Sequence, residues 1–160
     1  MKPIVLFFAV VAATRVVYAA DISPAPVGLW FPPDRKAAIE LSTCGGNSLC
    51  GRIAWIETGH LPQGLKEPPV DKHNPDPTLR TRPLCGLELV HGLEPSEPGV
   101  WGGSSIYNPE DGKKWQIQIK VVGPNILLLR GYVLAPLLGQ NQQWTRAPTS
   151  FEASCLARTE

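Results

Sequence analysis

From Lys113 to Val121 the chain alternates without a break: Trp115, Ile117, Ile119 and Val121 are apolar, and Gln116, Gln118 and Lys120 between them are polar. Successive side chains of a strand point to opposite faces, so this period of two makes a strand with one face in a core and the other in water or a polar lumen. On a helix the same residues would scatter around the axis and bury nothing. The pattern recurs. Ala37, Ile39 and Leu41 alternate with Ala38, Glu40 and Ser42; Leu49, Gly51, Ile53 and Trp55 alternate with Cys50, Arg52, Ala54 and Ile56, and the two runs read as a hairpin around Gly45 and Gly46. Further strands are expected at Val27 to Phe31, Leu84 to Val90, Ser104 to Tyr107, Ile126 to Val133 and Gln142 to Arg146. The apolar start at Ile126 predicts burial on both faces, with Arg130 and Tyr132 pointing the same way.

Between these runs stand turn sequences, Asn108-Pro109-Glu110-Asp111-Gly112 and Gly123-Pro124-Asn125 among them. With 17 prolines and 15 glycines in 160 residues, the chain is punctuated too often for long helices. An interval rich in glycine and proline, His91 to Gly103, reads as a further connection. About eight short strands joined in chain order predict an all-β fold, an antiparallel up-and-down β-barrel. A sandwich needs long crossovers, and only the connection from Thr58 to Pro83 is long enough for one.

The first residues have the layout of a secretory signal peptide: Lys2, an apolar run from Ile4 to Ala13, and Val17 and Ala19 suitably placed before a cut after Ala19. The expected organisation is a signal peptide at 1–19 and a single barrel domain at 20–160, in the periplasm or secreted. The apolar run falls short of the roughly 20 residues of a membrane span, so no stable span is expected after processing. Removal of Lys2 and Arg15 would leave one more acidic than basic side chain. Such a chain lacks the positive field that nucleic-acid binding requires.

Four cysteines, Cys44, Cys50, Cys85 and Cys155, favour disulfides in an exported protein. Three pairings are possible. Cys44 and Cys50 flank a turn-like insert and make the shortest closure, which leaves Cys85 for Cys155. A zinc site is disfavoured, because no C-x-x-C pair occurs and His60, His73 and His91 lack ligand spacing. No metal or cofactor is expected.

The most distinctive stretch is Asp71 to Gly86, which crowds ionisable groups of both signs among Pro75, Pro77 and Pro83. Proline fixes φ and biases its predecessor towards extended backbone, so this is a stiff irregular loop, placed at a barrel mouth. It is expected to hold out Asp71, Asn74, Asp76, Arg80 and Arg82. Arg80 and Arg82 could clamp a carboxylate or phosphate; the plainer reading pairs them with Asp71 and Asp76 to stiffen the loop. Calcium binding by Asp71, Asn74 and Asp76 is disfavoured against turn capping, because Pro75 and His73 stand where ligands and a turning glycine belong. Trp101, Tyr107 and Tyr132 offer aromatic pocket walls, and Arg130 inside an apolar barrel would need an anionic partner.

Gly28-Leu29-Trp30 on the first strand and Arg146 on the last resemble the closing pair of lipocalin and related calycin barrels, in which an arginine lies across a tryptophan face. The longer series Cys44 to Trp55, Asn74 to Leu87, Gly102 to Lys113, Leu129 to Tyr132 and Trp144 to Arg146 resembles an uncharacterised family of small secreted bacterial proteins, a domain of unknown function with a lipocalin-like barrel. The resemblance implies a barrel in an envelope or secreted setting and a hydrophobic small-molecule ligand; it implies no established activity. Val133-Leu134-Ala135-Pro136 departs from the glycine-containing continuation expected there.

No nucleophile with its base, glycosidase carboxylate pair or phosphate-cradling loop stands out. The expectation is a binding protein for a small hydrophobic or amphipathic molecule, with no partner nucleic acid and no defined oligomeric state. The alternatives are an envelope enzyme using the Asp71 to Arg82 loop and an interaction barrel with a filled core.

Overall fold

The chain closes on itself through its shortest strand. In the computed structural model, which describes residues 25–57 and 69–155, β1 (Gly28–Phe31) pairs with β2 (Ala37–Thr43) on one side and with β8 (Gln140–Arg146) on the other. Between them run β3 (Leu49–Ile56), β4 (Glu88–Glu97), β5 (Val100–Asn108), β6 (Lys113–Gly123) and β7 (Ile126–Tyr132), each antiparallel to its neighbours in a closed eight-stranded barrel. The expected signal peptide, His60 and the start of the β3–β4 connection lie outside the described residues.

Closure is secured where β1 meets β8. Trp30 is fully buried, its indole Nε1 donates to the Pro26 carbonyl at 2.8 Å, and the Arg146 guanidinium lies 4.1 Å from its ring centroid. Arg146 also donates to Pro124 O and Val27 O, both at 2.9 Å. A cation over an indole face gains electrostatic attraction while its N–H groups fasten two loops at this end. Gly28 makes the approach possible: its φ is +116°, and a Cβ there would stand 2.9 Å from Arg146 Nη1.

Inside the barrel Ile39, Leu41, Leu49, Ile53, Val90, Leu93, Ile117, Ile119, Leu127 and Leu129 pack with Trp30, Trp101, Tyr107 and Trp144. Leu127 and Leu129 face inward and Ile126 faces out, with Leu128 half-buried, so β7 alternates instead of being buried on both faces. Arg130 and Tyr132 therefore lie on the outer face, not in the lumen. A register shift between Ala38 and Ile39 sets Trp55 opposite Ala38 and Ile53 opposite Ile39. This irregularity puts Trp55 on the opposite face from Ile53, where simple alternation would have placed both together. Trp55 instead joins Phe31 and Phe151 in a second cluster under the C-terminal tail, with edge-on contacts at 4.8 to 6.2 Å. The interval from His91 to Gly103 is a further hairpin, turning at Pro98 and Gly99, whose φ of +74° suits glycine.

Both expected disulfides are present, Cys44–Cys50 and Cys85–Cys155. They suit an oxidising compartment. The second ties the tail to the end of the β3–β4 connection across a separation of 70 residues.

Two outcomes follow in urea unfolding. Gly28→Ala is expected to lower stability by about 1–3 kcal/mol, since it combines backbone strain with displacement of Arg146. The pair Cys85→Ser and Cys155→Ser is expected to lose about 4 kcal/mol, the loop-closure value for so long a ring; a loss below about 1 kcal/mol would show that the tail is held by Phe151 packing alone.

Candidate functional site

Antiparallel alternation places the β1–β2, β3–β4, β5–β6 and β7–β8 connections at the end opposite the Trp30 closure. The β3–β4 connection folds back over this mouth. Asp71 N donates to Arg82 O at 3.0 Å and Leu84 N to Pro69 O at 2.8 Å, so its two limbs form a narrow ribbon with a bridge between Val70 and Pro83. At its tip Asp76 accepts from the Thr78 N–H at 2.9 Å and from the Thr78 hydroxyl at 2.8 Å, starting a 3-10 turn over Pro77–Leu79. That is the turn-capping role expected of it.

Beneath the ribbon lies a buried polar cluster. Asp71 is fully buried, and Asn74 is 4% exposed. The Tyr107 hydroxyl on β5 donates to Asp71 Oδ1 at 2.6 Å. Asp71 Oδ2 receives Asn74 Nδ2 at 2.7 Å and two nitrogens of Arg82, Nε at 2.9 Å and Nη2 at 2.8 Å. Asn74 Nδ2 also reaches the Tyr107 oxygen at 3.2 Å, and Arg80 Nε donates to the Asn74 carbonyl at 2.8 Å. Every charge in the cluster thus meets an opposite charge or a dipole, which burial requires.

The electrostatics are those of a latch. Burial pushes the Asp71 carboxyl up, but hydrogen bonds from Tyr107, Asn74 and Arg82, with the Arg82 charge, outweigh it and hold the group below the usual carboxylate range. Burial and the adjacent Asp71 raise the Tyr107 phenol. A phenol so raised stays protonated and keeps donating. Asp76 is also held low, first by the Thr78 hydroxyl and then by the Thr78 N–H.

The expected site residues therefore separate. Asp71, Asn74, Arg82 and Tyr107 come together, but Asp71 and Asn74 point into the protein instead of being held out. Arg80 and Arg82 do not form a shared clamp: Arg82 pairs with Asp71, as the plainer reading has it, whereas Arg80 donates to the Asn74 backbone carbonyl where that reading paired it with Asp76. Trp101 lines the interior at 5% exposure, and its indole Nε1 has no acceptor among the described residues. Arg130 and Tyr132 stand apart on the outer face of β7. Gly28, Trp30 and Arg146 close the other end.

Alongside the latch runs an open groove of about 410 Å³, lined by Pro69, Val70, Lys72, His73, Leu84, Pro109 and Glu110. The ribbon and the β5–β6 turn meet closely here, since a side chain at Gly112 would overlap the His73 carbonyl. Sequence reasoning did not single these lining residues out as a group. The walls come from segments far apart in the chain, which no local pattern joins.

A closed eight-stranded antiparallel barrel sealed by a tryptophan–arginine pair is a lipocalin-like barrel. Residues 28–146 match the family described as "Uncharacterized protein conserved in bacteria (DUF2147)", and the chain belongs to it. Among solved structures the fold is similar to "Protein HP1028 from the human pathogen Helicobacter pylori belongs to the lipocalin family", at 19% identity and a TM-score of 0.66, covering 78% of this chain and 84% of that one. No curated protein matches the chain.

Removing the Tyr107 donor by Tyr107→Phe is expected to cost about 1–2 kcal/mol and to raise the Asp71 pKa, read from its carboxyl carbon in an NMR titration. Because the Asp71 value is depressed on folding, its contribution is complete above the ordinary carboxylate range near pH ~4 and is lost as pH falls through the folded value. Asp71→Ala should therefore destabilise by about 2–3 kcal/mol at neutral pH, at the modest end for a broken buried pair because Arg82 is a third exposed. It should also flatten the acid limb of the stability profile.

Proposed function

We propose that the protein is an exported lipocalin-like binding module that takes a small amphipathic molecule at the mouth of the barrel. The observation that carries this reading is the groove beside the latched ribbon. Its lining combines the apolar Pro69, Val70, Leu84 and Pro109 with the polar Lys72, His73 and Glu110. Apolar walls with a few polar groups are what small-ligand sites present, and the latch keeps one wall in place before anything binds. The interior supports the rim as the location, because large side chains occupy the barrel axis. An acidic head group would sit at Lys72 and His73, with the apolar tail against Val70 and Leu84.

Export rests on the leader-like sequence at 1–19 and on the two disulfides. The filled core favours a second reading, an interaction barrel with no small ligand. Titration with dodecanoate, followed by amide NMR, separates the two. The binding reading expects saturable shifts at Val70, Lys72, His73 and Leu84, and several-fold weaker binding in Lys72→Glu. Dodecanoate and dodecylamine both failing to move those amides would leave the interaction barrel standing.

A further inference from the structure

The connection from β7 to β8, on the same rim, departs from the rest of the surface. Val133, Leu134, Leu137 and Leu138 are 64%, 87%, 87% and 76% exposed. Single apolar residues on a surface need no explanation, but four on one loop form a patch that does. The loop is tightly bonded. Leu138 N donates to Ala135 O and Gly139 N to Pro136 O, both at 3.0 Å, closing a 3-10 turn over Pro136–Leu138. From the neighbouring strand Arg130 donates through Nε to Pro136 O, through Nη2 to Leu137 O at 3.2 Å and through Nη1 to Asn141 Oδ1 at 2.7 Å. Gly139 lies so close to β7 that a Cβ there would stand 2.6 Å from the Gly131 carbonyl. The backbone is held while the leucines face water.

The charges nearby indicate what would cover them. From Gly112 to Phe151 the chain contains no Asp or Glu, and of its cations Lys113, Lys114 and Arg130 stand towards this rim, whereas Arg146 belongs to the closure at the opposite end. Arg130 is gripped by uncharged oxygens and forms no ion pair among the described residues, so its positive charge stands beside the turn that bears Leu137 and Leu138. Lys113 and Lys114 are exposed at the start of β6, whose Gln116 pairs with Tyr132 at the root of the loop. Asp111 offsets only Lys113, at 3.8 Å. A second copy of this face would set cations against cations. An apolar tip beside these cations suits a bilayer bearing anionic headgroups, the leucines entering the acyl boundary and the cations staying at headgroup level.

We propose that the β7–β8 loop docks the barrel mouth onto a membrane surface containing anionic lipid. Docking of this kind is peripheral and is independent of whether the groove binds a ligand. The disulfide-bonded protein would be sedimented with vesicles of phosphatidylcholine alone and of phosphatidylcholine mixed with phosphatidylglycerol. Binding is expected to the mixed vesicles above all and to weaken as salt is raised. The triple variant Leu134→Gln, Leu137→Gln, Leu138→Gln should lower it by about tenfold or more, and Lys113→Gln with Lys114→Gln several-fold on mixed vesicles only. Val122→Gln with Ile126→Gln removes exposed apolar surface at the opposite end of the barrel and should change nothing. Unchanged urea midpoints would verify that the variants are folded. The proposal is overturned if the wild-type protein ignores both vesicles, or if the leucine triple binds as well as the parent. It is equally overturned if the triple alters only self-association in sedimentation velocity, which would make the loop a contact between copies.

Discussion

The barrel depends on the closure of a four-residue strand against the last one. β1 contributes little backbone pairing of its own, and its register with β8 spans only Trp30 opposite Arg146 and Phe31 opposite Thr145. What compensates is concentrated in side chains: an indole fully out of water, a guanidinium across its face, and two carbonyls that the same guanidinium holds. A closed sheet has no free edge to recruit other chains. Gly28 is part of the same device, because its missing Cβ is the space into which Arg146 reaches.

The opposite end is organised by a different principle. There a long irregular connection has to lie over a barrel mouth, and irregular backbone brings polar groups that must be satisfied. The Asp76 N–H is met by Asn74 Oδ1, the Asn74 carbonyl by Arg80 and the Arg82 carbonyl by the Asp71 N–H, while the buried Asp71 carboxylate collects donors from Tyr107 in the wall and from Asn74 and Arg82 in the loop itself. The charged residues that looked like a recognition surface in one dimension are largely consumed in holding the loop. The held loop leaves a groove between itself and the β5–β6 turn, and an apolar loop lies farther round the rim.

Much of this was legible before folding. Period-two runs marked most of the strands, glycine and proline marked the turns, and the short Cys44 to Cys50 spacing marked a staple. The Gly28, Trp30 and Arg146 set announced the closure. Less legible were the features created by irregularity: the shift at Ala38 and Ile39 that sends Trp55 outside, and the hairpin hidden in the interval from His91 to Gly103, where Pro95 sits within a strand. Alternation identifies a face only as far as the next bulge.

By itself, then, the order of residues determined a closed antiparallel barrel with a stiff charged loop at one end, because side-chain period and turn chemistry are local properties of the chain. Which of those charges face water was decided only in three dimensions. Asp71 and Tyr107 stand 36 residues apart, and nothing short of the folded barrel brings a phenol to that carboxylate. Orientation of Arg130 was settled in the same way, by the strand pairing that turned Leu127 and Leu129 inward and left the guanidinium outside to hold the β7–β8 loop.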